Sequence, residues 1–489
     1  MDRTVISMRA PAYDIFLLVR GGRFSRHLMQ RCYWRGPWGV PRLNATSRTL
    51  DIATGATTGS RSKMMKRVAV SLPLITVVVA LTLCGCAHLT RQEAVPPRLT
   101  QRALTPEASD DRYWPDLDQS RAVKIVLRAT ERERDSLIAA GESPDHLPPE
   151  NYLAISSGGD DGAFAAGLLV GWSARGDRPV FNVVTGISAG ALVAPFAFLG
   201  SRYDEVLRTV ASRIDSRDIF HSRSLLAAFT SDGLADDRPL AAMIEKYVTA
   251  DVLREVARAY ATGRLLFIGT TNLDARQPVV WDMGAIAARG DAAALDLFRK
   301  VVLASASIPG VFPPVMIDVE VDGKRYQEMH VDGAVTKQVF LFCSSFAKEL
   351  TGPTVGSGQE RHLYVIRNGR IDAQWGSTQR RTTAVAHRAL DALVDREAVN
   401  DIYQLQFRAQ EDGSDLNIAY IDSGFTYPHT QLFAGDYMRH LFQYSYQLGA
   451  NGYPWRKSLP DAEWPGARKA PRRELLSSDP LFSVAAVIR

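Results

Sequence analysis

Short apolar runs and stretches with helical spacing alternate along the middle of the chain. Residues 152–156 and 180–185 are apolar runs of strand length, and each leads through a glycine-rich turn into an apolar stretch of helical length. This repeated strand–turn–helix order predicts an α/β fold with a mainly parallel central sheet, right-handed crossovers and flanking helices. Further strands are predicted at 265–270, 277–282, 328–331, 362–367 and 417–421, and further helices at 119–140, 295–304, 384–409 and 433–448.

An apolar stretch near the N-terminus has the layout of a lipoprotein signal peptide. Lys66 and Arg67 precede an uncharged run that is somewhat short for a membrane-spanning helix, and the run ends in Leu-Cys-Gly-Cys at Cys86. This ending resembles the lipobox at which bacterial signal peptides are cut and the cysteine is acylated. We therefore expect 64–85 to be a signal peptide and Cys86 to be lipidated, with an uncleaved anchor or a buried apolar helix as the alternative.

The residues before this signal carry most of the positive charge. Residues 1–63 hold ten Arg and one Lys against three Asp, whereas the chain from Cys86 onward has a net charge of −5. Because secretory signals lie at the extreme N-terminus, we expect 1–63 to be a non-native extension from a start codon assigned too early, with Met64 or Met65 as initiator. An Arg-rich transit peptide is the alternative.

Charge and cysteine content exclude several functions. The acidic character of the chain after Cys86 removes the electrostatic case for binding nucleic acid. Once the signal is removed and Cys86 is lipidated, Cys343 is the one cysteine left, which leaves no disulfide and no cysteine-rich metal site. No cofactor and no metal ion are predicted.

Composition divides the rest of the chain. Residues 86–118 are polar and contain several prolines, which is typical of a tether. A helical segment at 119–150 precedes the predicted catalytic core at 151–345, and 346–452 completes the same domain. The Pro- and Arg-rich tail at 453–489 is predicted to be poorly ordered.

The sequence Gly-Ile-Ser-Ala-Gly places Ser188 between a predicted strand and a predicted helix. A serine hydroxyl becomes a nucleophile when a base takes its proton and donors stabilise the oxyanion. A sharp strand-to-helix turn presents the hydroxyl and adds the helix N-terminus, while Gly186 and Gly190 avoid collisions in so tight a turn. Ser188 is therefore a candidate nucleophile, and a structural turn serine is the alternative.

A second glycine-rich turn, Ser-Gly-Gly-Asp-Asp-Gly at 157–162, follows the preceding strand. Adjacent parallel strands would bring it to the same edge of the sheet as Ser188. Consecutive glycines allow the backbone N–H groups of this turn to point inward as an anion-binding nest. Such a loop could form an oxyanion hole, bind a phosphate or be a turn only.

Two kinds of residue could serve as the base. One is Asp332, which ends a predicted strand and directly precedes the turn residue Gly333. The other is a histidine, as in the Ser-His-Asp triad of α/β-hydrolases, although none lies in a convincing loop after a strand. The candidate histidines are His362, His387, His429 and His440.

Taken in this order, the glycine loop, the Gly-Ile-Ser-Ala-Gly motif and Asp332-Gly333-Ala334 resemble the patatin-like phospholipase family. Residues 304–314, and residues 271–274 with 281–282, are also similar to segments of that family, and the resemblance covers about 155–345. It implies a three-layer fold and a Ser–Asp dyad without histidine. In that dyad Ser188 is the nucleophile and Asp332 the proton acceptor; the oxyanion hole is formed by Gly158, Gly159 and Asp160, and the motif glycines are Gly162, Gly186, Gly190 and Gly333.

The glycine loop departs from the family pattern at two positions. The family usually has G-G-G-x-[RK]-G, whereas here Ser157 replaces the first glycine and Asp161 replaces the basic residue. Two acids suit a helix N-terminus as caps. The loss of a cation bears on preference for a phospholipid over a neutral ester more than on hydrolysis itself.

The resemblance implies a serine acyl hydrolase that cleaves fatty-acyl esters of (phospho)lipids through an acyl-serine intermediate. Its partners would be a membrane lipid substrate and the membrane surface, reached through lipidated Cys86. The expected location is the bacterial cell envelope, with the outer membrane preferred because Ala87 does not look like an inner-membrane retention residue. The alternatives are an α/β-hydrolase-type esterase with a triad and a catalytically inactive lipid-binding lipoprotein.

Overall fold

The structure is a computed structural model, which divides into two units, residues 1–74 and 75–489. The predicted signal peptide, Cys86 and Cys343 lie outside the described residues. Described in full are residues 91–106, 111–143, 148–212, 219, 231–341, 359–372 and 374–460, and described by their backbone alone are 4–10, 13–20, 23–24 and 221–222.

In the first unit three strands form an antiparallel sheet: β1 (Thr4–Ala10), β2 (Tyr13–Arg20) and β3 (Arg23–Phe24). The rest of the predicted extension at 1–63 lies outside the described residues.

The second unit alternates strands with helices. Its described strands are β4 (Arg112–Tyr113), β5 (Glu150–Ile155), β6 (Val183–Ile187), β7 (His221–Ser222), β8 (Ala235–Asp236), β9 (Leu265–Asn272), β10 (Gln277–Asp282), β11 (Val315–Val321), β12 (Lys324–Asp332), β13 (Arg361–Arg367) and β14 (Asp415–Tyr420). Its described α-helices are α1 (Gln119–Ala139), α2 (Gly162–Arg175), α3 (Ala189–Leu199), α4 (Asp204–Ser212), α5 (Arg238–Tyr247), α6 (Ala250–Ala261), α7 (Met283–Arg289), α8 (Ala292–Ser305), α9 (Thr382–Asp412) and α10 (Gly435–Ala450).

Side-chain caps mark where several of these helices begin. The carboxylate of Asp282 accepts the amide of Ala285 at the start of α7, and that of Asp291 accepts the amide of Ala294 at the start of α8. These bonds satisfy amides that the first turn of a helix leaves without a partner. Asp282 is therefore the last residue of β10, and its side chain caps the N-terminus of α7.

The central sheet is parallel in the middle and antiparallel at one side. β9, β6, β5, β13 and β14 lie side by side in this order, and all four pairings between them are parallel. The hairpin of β11 and β12, together with β10, adds antiparallel pairings next to β9. The parallel strands end at a common carboxyl edge, where their connecting loops gather.

Residues of one strand alternate between two hydrophobic cores, one on each face of the sheet. In β5, Leu153 and Ile155 belong to one core, and Tyr152 and Ala154 belong to the other. Because helices cover both cores, the molecule has three layers, helix–sheet–helix. The predicted α/β fold with a mainly parallel sheet is confirmed.

Strands β6 and β12 lie end to end along the same side of β9. Ile187 at the end of β6 is opposite Gly269, whereas Asp332 at the end of β12 is opposite the next residue, Thr270. The other side of β9 is occupied by β10 at both positions. The two strands approach from opposite directions, so the residue that follows β6 meets the last residue of β12.

The predicted tether differs from the structure in its second part. Arg112 pairs with Glu328 at 2.5 Å, and both side chains are 1% exposed. Trp114 is buried, and β4 adds to the sheet by pairing with β10. Although 86–118 is polar on average, Arg112 and Trp114 attach its described part to the folded domain.

The C-terminal segment is folded as far as residue 460. The amide of Arg456 donates to the carbonyl of Ile418, and the Tyr453 hydroxyl bonds both backbone groups of Tyr420. The ring of Trp455 lies 5.0 Å from that of Trp172. The rest of the predicted tail, 461–489, lies outside the described residues. Of the helices that the structure describes, none is long and apolar enough to span a membrane.

Candidate active site

Ser188 occupies the turn between β6 and α3 in a strained backbone conformation. Its φ is 55° and its ψ is −121°, a region that L-residues rarely adopt. The flanking glycines are required by close contacts: a Cβ at Gly186 would lie 2.4 Å from the carbonyl oxygen of Gly190, and a Cβ at Gly190 would lie 2.3 Å from that of Ile155. The tight packing holds the Ser188 hydroxyl at the carboxyl edge of the sheet.

The hydroxyl of Ser188 contacts the carboxylate of Asp332. Ser188 Oγ donates a hydrogen bond to Asp332 Oδ2 at 2.6 Å, and the amide of Ala334 donates to the other oxygen, Oδ1, at 2.8 Å. One oxygen therefore holds the carboxylate to its own turn while the other faces the serine. This geometry suits transfer of the serine proton to the carboxylate.

Burial gives Asp332 the proton affinity that a base needs near neutral pH. The residue is 2% exposed, and desolvation raises the pKa of its carboxyl from 3.8 to about 7, although the bonds from Ser188 and Ala334 act in the opposite direction. A carboxylate with an ordinary pKa would be a far weaker base. The raised pKa therefore suits this carboxyl to accept a proton near neutral pH.

The end of α8 and the residues just after it hold both Ser188 and Asp332 by their backbones. The amide of Ser188 donates to Oγ of Ser305 at 3.0 Å, and this hydroxyl donates to the carbonyl of Gly269 at 2.6 Å. Two residues later, the carbonyl of Ser307 accepts the amide of Asp332 at 2.9 Å. One short stretch thus fixes the spacing of the two candidate catalytic residues.

The glycine loop leaves β5 at the same edge. None of the amides of Gly158, Gly159 and Asp160 donates to an acceptor within the described part of the chain. Gly159 has a φ of 58° and lines the same cavity as Ser188, so the glycine loop borders the space beside the serine. The loop amides are available to an oxyanion or another anionic oxygen.

The two acids of this loop bind α10 and the loop that precedes it. One carboxylate oxygen of Asp160 accepts the amide of Phe433 and Nε2 of His429, each at 2.8 Å, and the Tyr437 hydroxyl donates to Asp161 at 2.5 Å. Burial raises the pKa of Asp161, whereas the bond to Asp160 raises that of His429. The acids therefore tie the glycine loop to its neighbours and do not face the serine hydroxyl.

A buried arginine supports the same loop from behind. Nη1 of Arg367, the last residue of β13, donates to the carbonyl of Ser157 at 3.0 Å and to that of Asn368 at 3.2 Å. The side chain of Ser157 bonds to Gln338. A Cβ at Gly158 would lie 2.2 Å from the Asn368 carbonyl oxygen, so glycine is required there. The family has a basic residue within the loop, at the position of Asp161. Here a cation, Arg367, lies near the loop but outside it.

An apolar cavity opens beside Ser188. Among the described residues that line it, none is charged and Ser188 alone bears a hydroxyl. Side chains from α2, α3, α5 and the segment after α8 form its walls, including Ala166, Leu192, Met243 and Phe312. A cavity with this apolar lining suits a hydrocarbon chain.

None of the described histidine side chains hydrogen-bonds to Ser188. Both ring nitrogens of His330 bond within the sheet, one to Thr270 and the other to Glu328. The four histidines considered for a triad bind other groups: His362 contacts Asp415, His387 contacts Asp391, His429 contacts Asp160 and His440 contacts the carbonyl of Asp436. No cluster of metal-ligating side chains occurs within the described ranges.

Sequence reasoning missed Ser305, Arg367 and Gln338. Each acts on a partner far away in the chain, so no local spacing indicated its role. Ser305 did lie in a stretch that resembles the family, and its place at the end of α8, shortly before Pro309, was the available signal.

Comparison with known proteins identifies the class of the domain. Residues 153–341 match the family model described as Patatin-like phospholipase. The region contains β5, the glycine loop, Ser188 and Asp332. It is a patatin-like phospholipase domain, and such domains belong to lipid acyl hydrolases. No curated protein sequence matches the chain.

Two solved structures are similar to parts of the chain. VipD from Legionella pneumophila has 10% identity and a TM-score of 0.32, over 62% of this chain and 67% of its own. Human GIVD cytosolic phospholipase A2 has 12% identity and a TM-score of 0.23, over 59% of this chain and 51% of its own. The match therefore spans about half of the human chain.

Proposed function

We propose that this protein is a serine hydrolase that cleaves fatty-acyl ester bonds of (phospho)lipids, as a phospholipase A or lysophospholipase does. The observation that carries the proposal is the 2.6 Å hydrogen bond from Ser188 to Asp332 at the mouth of an apolar cavity. The nucleophile, a base of matched pKa, free amides and a space for an acyl chain lie together there.

In the first step Ser188 Oγ attacks the ester carbonyl while Asp332 Oδ2 takes the hydroxyl proton. The carbonyl oxygen becomes an oxyanion, which the amides of the glycine loop stabilise. The tetrahedral intermediate then collapses, the bond from carbon to the leaving oxygen breaks, and Asp332 returns its proton to that oxygen. The products are an alcohol, such as a lysolipid, and acyl-Ser188.

In the second step water attacks acyl-Ser188. Asp332 takes a proton from the water, the glycine-loop amides again hold the oxyanion, and the Ser188 oxygen leaves and recovers its proton from Asp332. The fatty acid is released and the free enzyme is restored. The acyl chain occupies the apolar cavity throughout, which keeps the carbonyl near Ser188.

The test compares Ser188→Ala, Asp332→Asn and His429→Ala on a chromogenic acyl ester and on phospholipid. We expect the first two to lose about 10³-fold or more in kcat/KM and His429→Ala to keep activity within about tenfold. Asp322→Asn, an exposed change in the β11–β12 turn, is the matched control for Asp332→Asn. Labelling of Ser188 by an organophosphonate probe, mapped by mass spectrometry, gives an independent readout.

Two outcomes would contradict the proposal. Loss of turnover in His429→Ala with activity kept in Asp332→Asn would indicate a histidine base. Failure of every ester to react, with Ser188 inert to the probe, would favour a lipid-binding protein without activity.

We further propose that Cys86 is lipidated, with a diacylglyceryl group on its thiol and an acyl chain on its new amino group, and anchors the chain to the bacterial cell envelope, on the periplasmic face of the outer membrane. The support is the basic, apolar and cysteine pattern of 64–86. Labelled palmitate should enter the wild-type protein and not Cys86→Ser, whereas Cys84→Ser should label normally. Equal labelling of wild type and Cys86→Ser would refute the anchor.

A further inference from the structure

Helix α9 is about twice as long as the strands that it connects. It has 31 residues, or about 46 Å, whereas β13 has 7 residues, or about 23 Å. Because β13 and β14 are parallel, α9 begins at the carboxyl edge of the sheet, where Ser188 lies. Asp395 of α9 lies 3.4 Å from Arg367 at the end of β13. Residues 382–394, which make about 20 Å of helix, therefore lie beyond this contact on the carboxyl side of the sheet.

The projecting half of α9 is apolar and exposed. All buried residues of α9 lie in its second half. Two loops at the same edge, which leave the ends of β13 and β14, add exposed apolar side chains to this surface. These side chains are Val385, Leu390, Leu393 and Val394 on the helix, Trp375, which is 76% exposed, on the first loop and Leu432 on the second.

Basic residues surround these apolar side chains. Residues 374–396 contain four arginines and two aspartates, a net charge of +2, in a domain that is acidic as a whole. Arg388 ties the Trp375 loop to α9 through the carbonyl of Gln374. Aliphatic side chains, an exposed tryptophan and arginines together fit an interface between anionic headgroups and acyl chains. The charged groups of this surface are Arg380, Arg381, Arg388, Asp391, Asp395 and Arg396, with His387 beside them.

The N-terminal end of the described domain lies at the same edge. Arg91 pairs with Asp274, which follows the carboxyl end of β9, at 2.8 Å, and bonds the carbonyl of Gln327 in the part of β12 that extends beyond β9. Cys86 is five residues before Arg91, so an acyl chain on Cys86 would start within about 18 Å of this edge.

We infer that the carboxyl edge of the sheet rests on a lipid bilayer, with residues 382–394 of α9, Trp375 and Leu432 seated in its interface. This inference deepens the proposed function and rests on it, because a bilayer-facing Ser188 draws substrate from the membrane directly. The surface and Arg91, which is five residues after Cys86 in the chain, lie on opposite sides of the Ser188 turn along one edge. A bilayer contacts both at once, whereas a second copy docked on α9 would account for neither the arginines nor the anchor.

The test uses the full chain with vesicles of phosphatidylglycerol and phosphatidylcholine, in which part of the lipid carries bromine on its acyl chains. The variant Leu390→Asp/Leu393→Asp is compared with Phe407→Asp, an exposed position on the same helix about 21 Å nearer the amino edge. Each is assayed on vesicle phospholipid and on a soluble short-chain ester. Quenching of tryptophan fluorescence by bromine, with Trp375→Phe as reference, reports insertion separately.

We expect the double variant to lose at least tenfold in vesicle hydrolysis and to stay within twofold on the soluble ester, while Phe407→Asp changes neither. Trp375→Phe should remove most of the quenching. Unchanged vesicle hydrolysis and quenching in the double variant would overturn the inference, as would a shift from dimer to monomer with quenching retained. If no variant or wild type cleaves either substrate, the proposed function fails, while quenching still tests the surface.

Discussion

Ser188 and Asp332 are 144 residues apart in the chain and share a 2.6 Å hydrogen bond because β6 and β12 meet end to end beside β9. The contact therefore depends on the sheet, and not on a flexible loop that would have to close. A serine and a base held in this way are ready for proton transfer before substrate arrives.

The first prediction is a pH dependence set by Asp332. Its carboxyl must be ionised to accept the serine proton, and burial raises its pKa to about 7. We expect kcat/KM on a soluble ester to reach a plateau above pH 7 and to fall about tenfold for each pH unit below it. Stopped-time assays from pH 5 to 9, with circular dichroism to verify folding, measure this. A profile that stays flat down to pH 5 would refute it.

The second prediction concerns stability. The pKa of Asp332 is about 7 in the folded chain and 3.8 without burial, so its favourable contribution is complete below pH 3.8 and is lost as pH rises through 7. Asp332→Asn removes this loss because the amide stays neutral. Relative to wild type, the variant should gain about 2 to 3 kcal/mol in free energy of unfolding between pH 5 and pH 8.

Urea denaturation at both pH values measures this gain, and Asp322→Asn serves as the control because its side chain is exposed. An equal difference between Asp332→Asn and wild type at both pH values would mean that Asp332 does not titrate between them. The variant is thus expected to be inactive yet more stable at alkaline pH, which is a trade-off typical of strained functional sites.

The third prediction assigns a positioning role to Ser305. Its hydroxyl bridges the amide of Ser188 and the carbonyl of Gly269 in a fully buried place. Ser305→Ala leaves both groups without that partner, which should cost about 1 to 3 kcal/mol of stability. It should also lower kcat about tenfold while KM stays nearly constant, because Ser188 loses its orientation and not its substrate.

Ser445→Ala is the matched control for Ser305→Ala. Ser445 is equally buried, but its hydroxyl bonds to carbonyls of its own helix, α10. A loss of stability in both variants with unchanged kcat would make Ser305 a structural residue only. Slower labelling of Ser188 by an organophosphonate in Ser305→Ala alone would support positioning.

Much of the core fold was predictable because its strands and turns carry strong local patterns. The predicted strand at 277–282 matches β10, and the predicted helix at 384–409 lies within α9. Helices α5 and α6 were missed, although both are amphipathic, and so was β11, whose residues alternate between buried and exposed. The glycine turns carry a recognisable motif spacing, and these three elements do not.

The site was predictable only where its residues lie in local motifs. The Ser188 turn and Asp332 with Gly333 each have a sequence pattern, and the structure brings them together. The residues that support the site have no such pattern. Ser305 bonds to a residue 117 positions away in the chain, and Arg367 bonds to one 210 positions away. Such contacts come from the packing of the sheet, which periodicity along the chain does not encode. The raised pKa of Asp332 likewise depends on burial by distant elements.

The last prediction uses the cavity to test where the acyl chain lies. Met243 on α5 lines the cavity, whereas its neighbour Ala242 is exposed to solvent. Met243→Trp fills part of the space, so it should lower kcat/KM for long-chain esters at least tenfold and leave a four-carbon ester within about threefold. Ala242→Trp adds the same ring outside the cavity and should leave the chain-length profile unchanged. Chain length is varied from four to sixteen carbons with one leaving group, so that only the fit of the acyl chain changes. A parallel loss at every length in Met243→Trp would mean that the ring disturbs the Ser188 turn itself, and an unchanged profile would place the acyl chain elsewhere.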